Sequence, residues 1–329
     1  MEAPHVIAVD LGGTKLAAGV FDRDGAVSGR AVEPTDLSGE DAVLAQLERV
    51  IGGLNGNGLA ALGVGVPSTI DQRTGRAVAS VNIPLADVDL RERLRERFGV
   101  PVAVENDANA ATVAEHRLGA GRGSRHMIML TLGTGVGGGL VLDDRLYRGS
   151  VGAAAELGHI TLDLDGPPCQ GNCPGRGHLE ALAFGLAAES LALRTAAERP
   201  DGDLGRAAAA GRALDARVVV ELAEAGAGDA REVLDHIGFH LGVGIADLVN
   251  VFNPEVVVVG GGFSDAGDLV LGPAREVVAE RALAPARDEV RIVLAELGTE
   301  AGLVGAALVA FDALDGVERA DGVDVPGAL

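Results

Sequence analysis

Val6-Ile-Ala-Val-Asp-Leu-Gly-Gly-Thr-Lys-Leu-Ala-Ala-Gly-Val-Phe-Asp22 has a counterpart in the same chain, Met127-Ile-Met-Leu-Thr-Leu-Gly-Thr-Gly-Val-Gly-Gly-Gly-Leu-Val-Leu-Asp143. Each runs through apolar residues, a polar residue, Leu-Gly, a turn of small residues and a second apolar stretch ending in Asp. Short apolar runs bounded by glycine read as buried strands joined by a tight hairpin. The same unit appearing twice predicts two similar lobes; the alternative is two unrelated glycine-rich hairpins.

Working outward, strands and helices alternate. Leu59 to Val66 and Val100 to Val104 read as strands, and Asp41 to Ile51 and Asp107 to Leu118 have helical period. Glu180 to about Glu224 is alanine-rich and helical. Arg231 to Val251 is a further helix, followed by the buried strand Glu255 to Val259 and the turn Gly260-Gly-Gly262. Leu303 to Phe311 is a last helix, and the polar tail after Leu314 is expected to fray. Such alternation means α/β layers.

Composition narrows the function classes. The chain has 329 residues, 47% of them hydrophobic, enough for two domains with sizeable cores. No apolar run reaches membrane-span length, and no signal peptide is visible, so no membrane partner is expected. Two cysteines make no disulfide framework and suit a reducing cytoplasm. The formal net charge of -21 disfavours nucleic acid, and no helix-turn-helix module is expected ahead of Val6. The one lysine, Lys15, lies in the first hairpin.

That hairpin, Asp10-Leu-Gly-Gly-Thr-Lys15, follows its strand directly. Gly12 and Gly13 let a phosphate approach the backbone, Thr14 and Lys15 can donate to its oxygens, and Asp10 can hold Mg²⁺ through water. The spacing is neither a Walker A loop nor a dinucleotide fingerprint. Its echo at Gly133-Thr134-Gly135 is a second phosphate-facing turn. Glu105-Asn-Asp-Ala-Asn109 stands where a strand passes into a helix, the usual ligand end of α/β strands. Asp107 is there as a sugar or metal contact, or simply as a helix cap. Asn82 and Glu156 are polar points in apolar surroundings.

Both cysteines fall in one short stretch with two of the seven histidines, spaced His159-x9-Cys169-x3-Cys173-x4-His178. Zn²⁺ prefers four tetrahedral Cys and His ligands, and closed four-ligand sites are structural. The other reading is two free cysteines beside two unrelated histidines. His236 and His240, four apart on a helix, lack the metalloprotease Glu and read as packing or surface.

Taken together, DLGGTK, SVNIP, ENDANA, TLGTGVGGG, ELGH, the Cys/His loop with its following LE, and VVVVGGG resemble the ROK family of sugar kinases and sugar-responsive repressors, in family order from Asp10 to about Leu308. The resemblance implies a two-lobed actin/hexokinase-like fold with ribonuclease-H-like cores flanking a central cleft. Residues 1–116 with about 298–315 would form a smaller N-terminal lobe carrying the first hairpin and Asp107. Residues 117–297 would form a larger lobe with the second hairpin, the zinc loop and the nucleotide side, and 316–329 a frayed tail.

It also implies an ATP-dependent hexose kinase acting on the 6-hydroxyl of glucose, with Mg²⁺ and structural Zn²⁺. Fructose, mannose, N-acetylmannosamine, N-acetylglucosamine and a non-catalytic sugar-sensing role stand as alternatives, and a homodimer or larger homo-oligomer is expected. By motif, Asp107 is the general base. Asn82, Asn106, Asp107, Glu156, His159 and Glu180 meet the sugar. Asp10, Gly12, Gly13, Thr14, Lys15, Gly133, Thr134, Gly135, Gly260, Gly261 and Gly262 face the nucleotide. His159, Cys169, Cys173 and His178 hold zinc. Three departures from the family pattern stand out: His178 and a displaced Cys169 in the zinc loop, Ser68 where glycine is usual after Pro67, and Ala155 where glycine often precedes the Glu.

Overall fold

The computed structural model describes residues 4–56, 58–80, 82–133, 135–170, 173–183 and 185–316. Thr134, read as a phosphate contact, and the tail 317–329, read as frayed, lie outside the described residues. The chain divides into two compact units. One comprises Met1–Gly119, Leu140–Ala155 and Thr299–Leu329; the other comprises Ala120–Gly139 and Glu156–Gly298. The first thus also takes in 140–155, a segment the sequence analysis assigns to the larger lobe.

The first unit opens with strands β1 (His5–Leu11), β2 (Lys15–Phe21) and β3 (Val27–Pro34) and helix α1 (Glu40–Leu54). Then come β4 (Leu59–Val66), β5 (Ser68–Asp71), β6 (Arg76–Ser80), β7 (Ala86–Val88), α2 (Leu90–Phe98), β8 (Val102–Asn106) and α3 (Asp107–Leu118). Its main sheet has the order β3-β2-β1-β4-β8, with β1–β2–β3 antiparallel and β1–β4–β8 parallel. Strands β5, β6 and β7 form a separate small sheet.

Strand β1 reads as an unbroken apolar run because both of its faces are covered. Ile7 and Val9 point into a core with Leu47 and Ile51 of α1. Val6 and Ala8 point the other way, into a core with Leu303, Ala306 and Ala310. Those three belong to the last helix of the chain, Ala301–Leu314. That helix lies unusually close to its neighbours. A Cβ on Gly63 would stand 1.8 Å from the Ala306 carbonyl oxygen, and one on Gly305 would stand 1.8 Å from that of Ala110. A Cβ on Gly302 would be 2.8 Å from Asp10 Oδ2. Glycine on both partners brings the helix onto the end of β1.

The chain continues through β9 (Met127–Leu132), β10 (Val136–Leu142) and β11 (Arg145–Leu146). Helices α4 (Leu179–Leu182), α5 (Gly185–Glu198), α6 (Asp203–Ala209), α7 (Ala216–Glu224) and α8 (Gly228–Phe252) follow. Then come β12 (Val256–Gly260), α9 (Asp268–Arg281), α10 (Ala286–Glu289), β13 (Arg291–Leu294) and the closing helix, now α11. The second sheet has the order β11-β10-β9-β12-β13, with β12 parallel to both β9 and β13. Counted in order of appearance within each sheet, both read third, second, first, fourth, fifth. The repeated sequence unit is therefore a repeated topology. The boundary between the compact units runs through β10.

The alanine-rich segment expected as helix is not continuous. It is divided among α4 to α7, with breaks at Pro200-Asp-Gly202 and at Gly211, whose φ is +78°. Among the described residues, no helix is long and apolar enough to cross a membrane.

Candidate functional site

In the first unit, the turn between β1 and β2 is closed by the Gly12 N–H donating to the Lys15 carbonyl at 2.9 Å. It is braced from the end of β3: the Thr35 hydroxyl donates to the Gly12 carbonyl at 2.6 Å, and the Thr35 N–H to that of Thr14 at 3.1 Å. Gly13 has a Cβ-sized space only 3.0 Å from Asn82 Cβ, so the absence of a side chain at 13 lets Asn82 lie against the turn. The structure thus brings Asp10, Gly12, Gly13, Thr14, Lys15 and Asn82 together.

Asp107 is the first residue of α3, but it is not the cap. Asn106 is, its Oδ1 accepting the Asn109 N–H at 3.0 Å. The capping reading of Asp107 is therefore answered by its neighbour, which satisfies one of the orphan N–H groups of the first turn. The Asp107 carboxylate accepts the Ala108 N–H at 2.9 Å, and burial raises its pKa above the ordinary carboxylate value. The pKa of Asp10 is pushed up to about 6, first by burial, then by the Asp107 charge, while Lys15 pulls it down and Glu300 adds to the rise. The two carboxylates therefore feel one another within the same unit, an electrostatic setting that a divalent cation relieves.

The Asp10 value has a consequence for stability. A carboxyl whose folded value exceeds its unfolded one favours the protonated folded state. That contribution is fully present below the ordinary 3.8 and is lost as pH climbs through about 6. Asp10→Asn is expected to melt above the parent at pH 7, with the gap closing by about pH 4. Thermal scans across that range check it; a gap that ignores pH would show that the carboxylate is not its source.

Glu105 was legible only as part of a polar cluster. It is 2% exposed. Its Oε1 accepts the Asn106 N–H at 3.0 Å and Asn109 Nδ2 at 3.1 Å, and its Oε2 receives Arg148 Nε at 2.7 Å. Ser68, flagged as a departure, is buried and its hydroxyl donates to the Ala79 carbonyl at 2.8 Å, across the small sheet. Ala155 has φ +63°, the left-handed region. Glycine is at home there, whereas alanine pays about 1 kcal/mol or more. Ala155→Gly is expected to stabilise the protein by about 1 kcal/mol in urea unfolding; a loss of stability would contradict the strain.

In the second unit, the turn after β9 is closed by the Gly133 N–H donating to the Gly135 carbonyl at 3.0 Å, the counterpart of the Gly12 bond. A Cβ on Gly135 would stand 2.4 Å from Glu180 Oε2, which accepts the Val136 N–H at 2.8 Å. Gly135 thus makes room for Glu180, a role beyond the phosphate contact read from sequence. Gly260 ends β12, and Gly261, at φ +89°, presses on the Leu132 backbone, where a Cβ would meet Leu132 O at 2.3 Å; Gly262 follows.

The four Cys and His atoms converge. One ligand atom from each of His159, Cys169, Cys173 and His178 lies within 4.8 Å of the others. Four tetrahedral donors at zinc distances stand about 3.3 Å apart for nitrogen pairs and about 3.6 Å for nitrogen and sulfur. Here the two Nδ1 atoms are 3.4 Å apart, Cys169 Sγ is 3.6 Å from His159 Nδ1, and Cys173 Sγ is 3.6 Å from His178 Nδ1. The donor set and its spacing fit the ion.

Burial pushes the Cys169 thiol up to about 11, with Cys173 and Glu180 adding to the rise, and a cation among these atoms reverses that balance. The loop folds tightly because Gly177 adopts φ +61° where a Cβ would strike Asp163 O, and because Gly175 leaves space for the His178 ring. With Nδ1 turned inward, His159 presents Nε2 on the Glu156 side, 3.9 Å from its carboxylate. Glu180 Oε1 lies 3.7 Å from Cys169 Sγ. The structure therefore gathers Glu156, His159 and Glu180 around the cluster. His236 and His240 stack at 4.4 Å, with Nδ1 of His240 on the His236 carbonyl, and stand outside the cluster.

Similarity to known proteins identifies the family. The ROK family model matches residues 6–313. A glucokinase of Streptomyces coelicolor is 37% identical over 306 residues, 92% of this chain and 96% of that protein. A glucokinase of Thermotoga maritima is 35% identical over 315 residues, 94% of this chain and 98% of that one. The crystal structure of a ROK family glucokinase from Streptomyces griseus in complex with glucose and AMPPNP superposes with a TM-score of 0.80 at 34% identity, covering 94% of this chain and 99% of that one. With the actin/hexokinase-like fold and both glycine hairpins in place, the chain belongs to the ROK family.

Proposed function

We propose that the protein is an ATP-dependent sugar kinase that transfers the γ-phosphoryl group to the 6-hydroxyl of glucose. The observation that carries this reading is the pairing, in one unit, of a buried Asp107 carboxylate with the glycine turn of Asp10 to Lys15. Phosphoryl transfer asks for in-line positioning, charge neutralisation and exclusion of water rather than covalent help. Asp107 accepts the hydroxyl proton as the sugar oxygen attacks phosphorus, and its raised pKa makes it a stronger base than an exposed aspartate. Gly12, Gly13, Thr14 and Lys15 from one hairpin and Gly133, Thr134 and Gly135 from the other receive the phosphates, and Gly260, Gly261 and Gly262 border the nucleotide. Asp10 would hold Mg²⁺, directly or through water, and the ion when bound would supply neutralisation of phosphate charge.

Asn82, Asn106, Glu156, His159 and Glu180 bind the ring hydroxyls. His159, Cys169, Cys173 and His178 would hold Zn²⁺, which supplies rigidity to the loop and no chemistry to the transfer. The two compact units are read as the family's two lobes. Glucose is favoured by the glucokinases among its relatives. Two cysteines that form no disulfide suit a cytoplasmic location. The family resemblance implies a homodimer or larger, which light scattering reads out. A coupled ADP-release assay across glucose, fructose, mannose, N-acetylmannosamine and N-acetylglucosamine tests the reading. The expected result is a kcat/KM for glucose at least about tenfold above the others. ADP release with no hexose would sink it.

A further inference from the structure

Glu105 and Arg148 lie 43 residues apart in sequence and meet inside the first unit. The carboxylate is fully enclosed, with its side chain 3% exposed, and the guanidinium is 20% exposed. Such a pair is an expensive way to gain stability, because both groups give up water. Its connections suggest another use. Glu105 is the penultimate residue of β8, and Asp107 begins α3 two residues later. Through Oε1, Glu105 grips the Asn106 N–H and the Asn109 side chain, and Asn106 in turn caps α3. Gln72 Nε2 joins the same oxygen at 3.3 Å. The whole strand-to-helix turn that aims Asp107 is thus tied to one carboxylate, and that carboxylate is tied to Arg148.

We infer that the Arg148–Glu105 pair is the positioning device of the Asp107 base, resting on the kinase reading above. Arg148 compensates the buried charge of Glu105, and Glu105 holds the turn 105–109 in the register that places Asp107. Neither residue touches the reacting atoms. Both also line a cavity of about 980 Å³ within the first unit, with Arg73, Arg91, Arg117 and Arg145 among its other walls. Removal of the Arg148 side chain therefore opens a guanidinium-shaped hole onto solvent-filled space, and the missing cation can be supplied from solution.

The experiment is steady-state kinetics of Arg148→Ala and Glu105→Gln, with and without millimolar guanidinium chloride. A misplacement on the order of 1 Å costs about 10²-fold in rate. Arg148→Ala should lose about that much kcat while its sugar KM stays within about threefold, and guanidinium should restore about tenfold. Glu105→Gln should lose kcat in the same way with no rescue, since its missing charge is negative. If Arg148→Ala fails to fold, Glu105→Gln carries the test through its kcat and KM split. An Arg148→Ala enzyme with parental kcat overturns the inference, as does a slow one that guanidinium does not help, or a Glu105→Gln enzyme at full speed. Failure of the kinase reading looks different: the parent protein itself then phosphorylates no hexose.

Discussion

Asp107→Asn should lower kcat by about 10² to 10⁴, the range lost when a positioned general base is removed. The substitution changes little else. Asn keeps the shape and an acceptor for the Ala108 N–H, which now meets Asp107 Oδ1 at 2.9 Å. The helix keeps its cap because Asn106 supplies it. Loss of the negative charge at the first position of α3 costs about 0.3–1 kcal/mol of dipole interaction. Against that, Asn at 107 removes the repulsion that helps raise Asp10. Because burial also disfavours the Asp107 charge itself, the variant should melt at or above the parent at pH 7 and bind glucose with similar affinity by calorimetry, while single-turnover transfer slows. The acid limb of the parent's kcat/KM profile should lie above the range of an exposed aspartate, since burial raises Asp107, and should vanish in the variant. Near-normal turnover with the fold intact would mean another group takes the proton.

The parts of this site legible in the sequence are those whose signal is local. Strand β4 was readable to the residue because a glycine-bounded apolar run has few other uses in an α/β chain. Both hairpins showed themselves by repetition, and the matching strand orders followed. The Cys/His loop was visible because cysteine is so scarce. What stayed hidden depends on distance. Arg148 looks like one more surface arginine until the chain folds back on Glu105. Thr35 sits beyond β3 with nothing in its neighbours to link it to the turn at Gly12. Glu180 drew notice only through the family motif, and its bond to the Val136 N–H requires α4 and β10 to meet. The broken helices between 180 and 224 were missed because alanine-rich sequence has helical propensity throughout, and only Pro200, Gly202 and Gly211 mark the breaks. Ala155 appeared as a departure from the family, but its left-handed backbone supplies the reason glycine is common there.

Cys173→Ala, or exhaustive chelation, should abolish activity although no donor of the cluster is expected to take part in transfer. Metal analysis of the parent should find about one zinc per chain, and both thiols should resist modification until the chelator is added. The route from metal to activity is structural. His159 turns Nδ1 into the cluster and leaves Nε2 on the Glu156 side. Glu180 follows His178 by two residues, and its carboxylate stands between Cys169 and the backbone of the second hairpin. If the loop loses its ion, four donor atoms within 4.8 Å of one another, three pairs of them 3.4–3.6 Å apart, have no cation to hold them, and His178 is buried. The two cysteine and two histidine side chains then relax outward, and His159, Glu156 and Glu180 lose their common anchor together. Closed zinc sites contribute folding energy outright. Here the loop rests on a preformed helix and sheet, so a loss of about 3 kcal/mol, roughly 5–10 °C in Tm, is expected rather than global unfolding. Sugar affinity and turnover should fall together, unlike Asp107→Asn, where turnover alone falls. Added zinc should restore the chelated protein but not Cys173→Ala. Freshly purified protein that carries no zinc and is fully active would reduce the cluster to four residues that happen to meet.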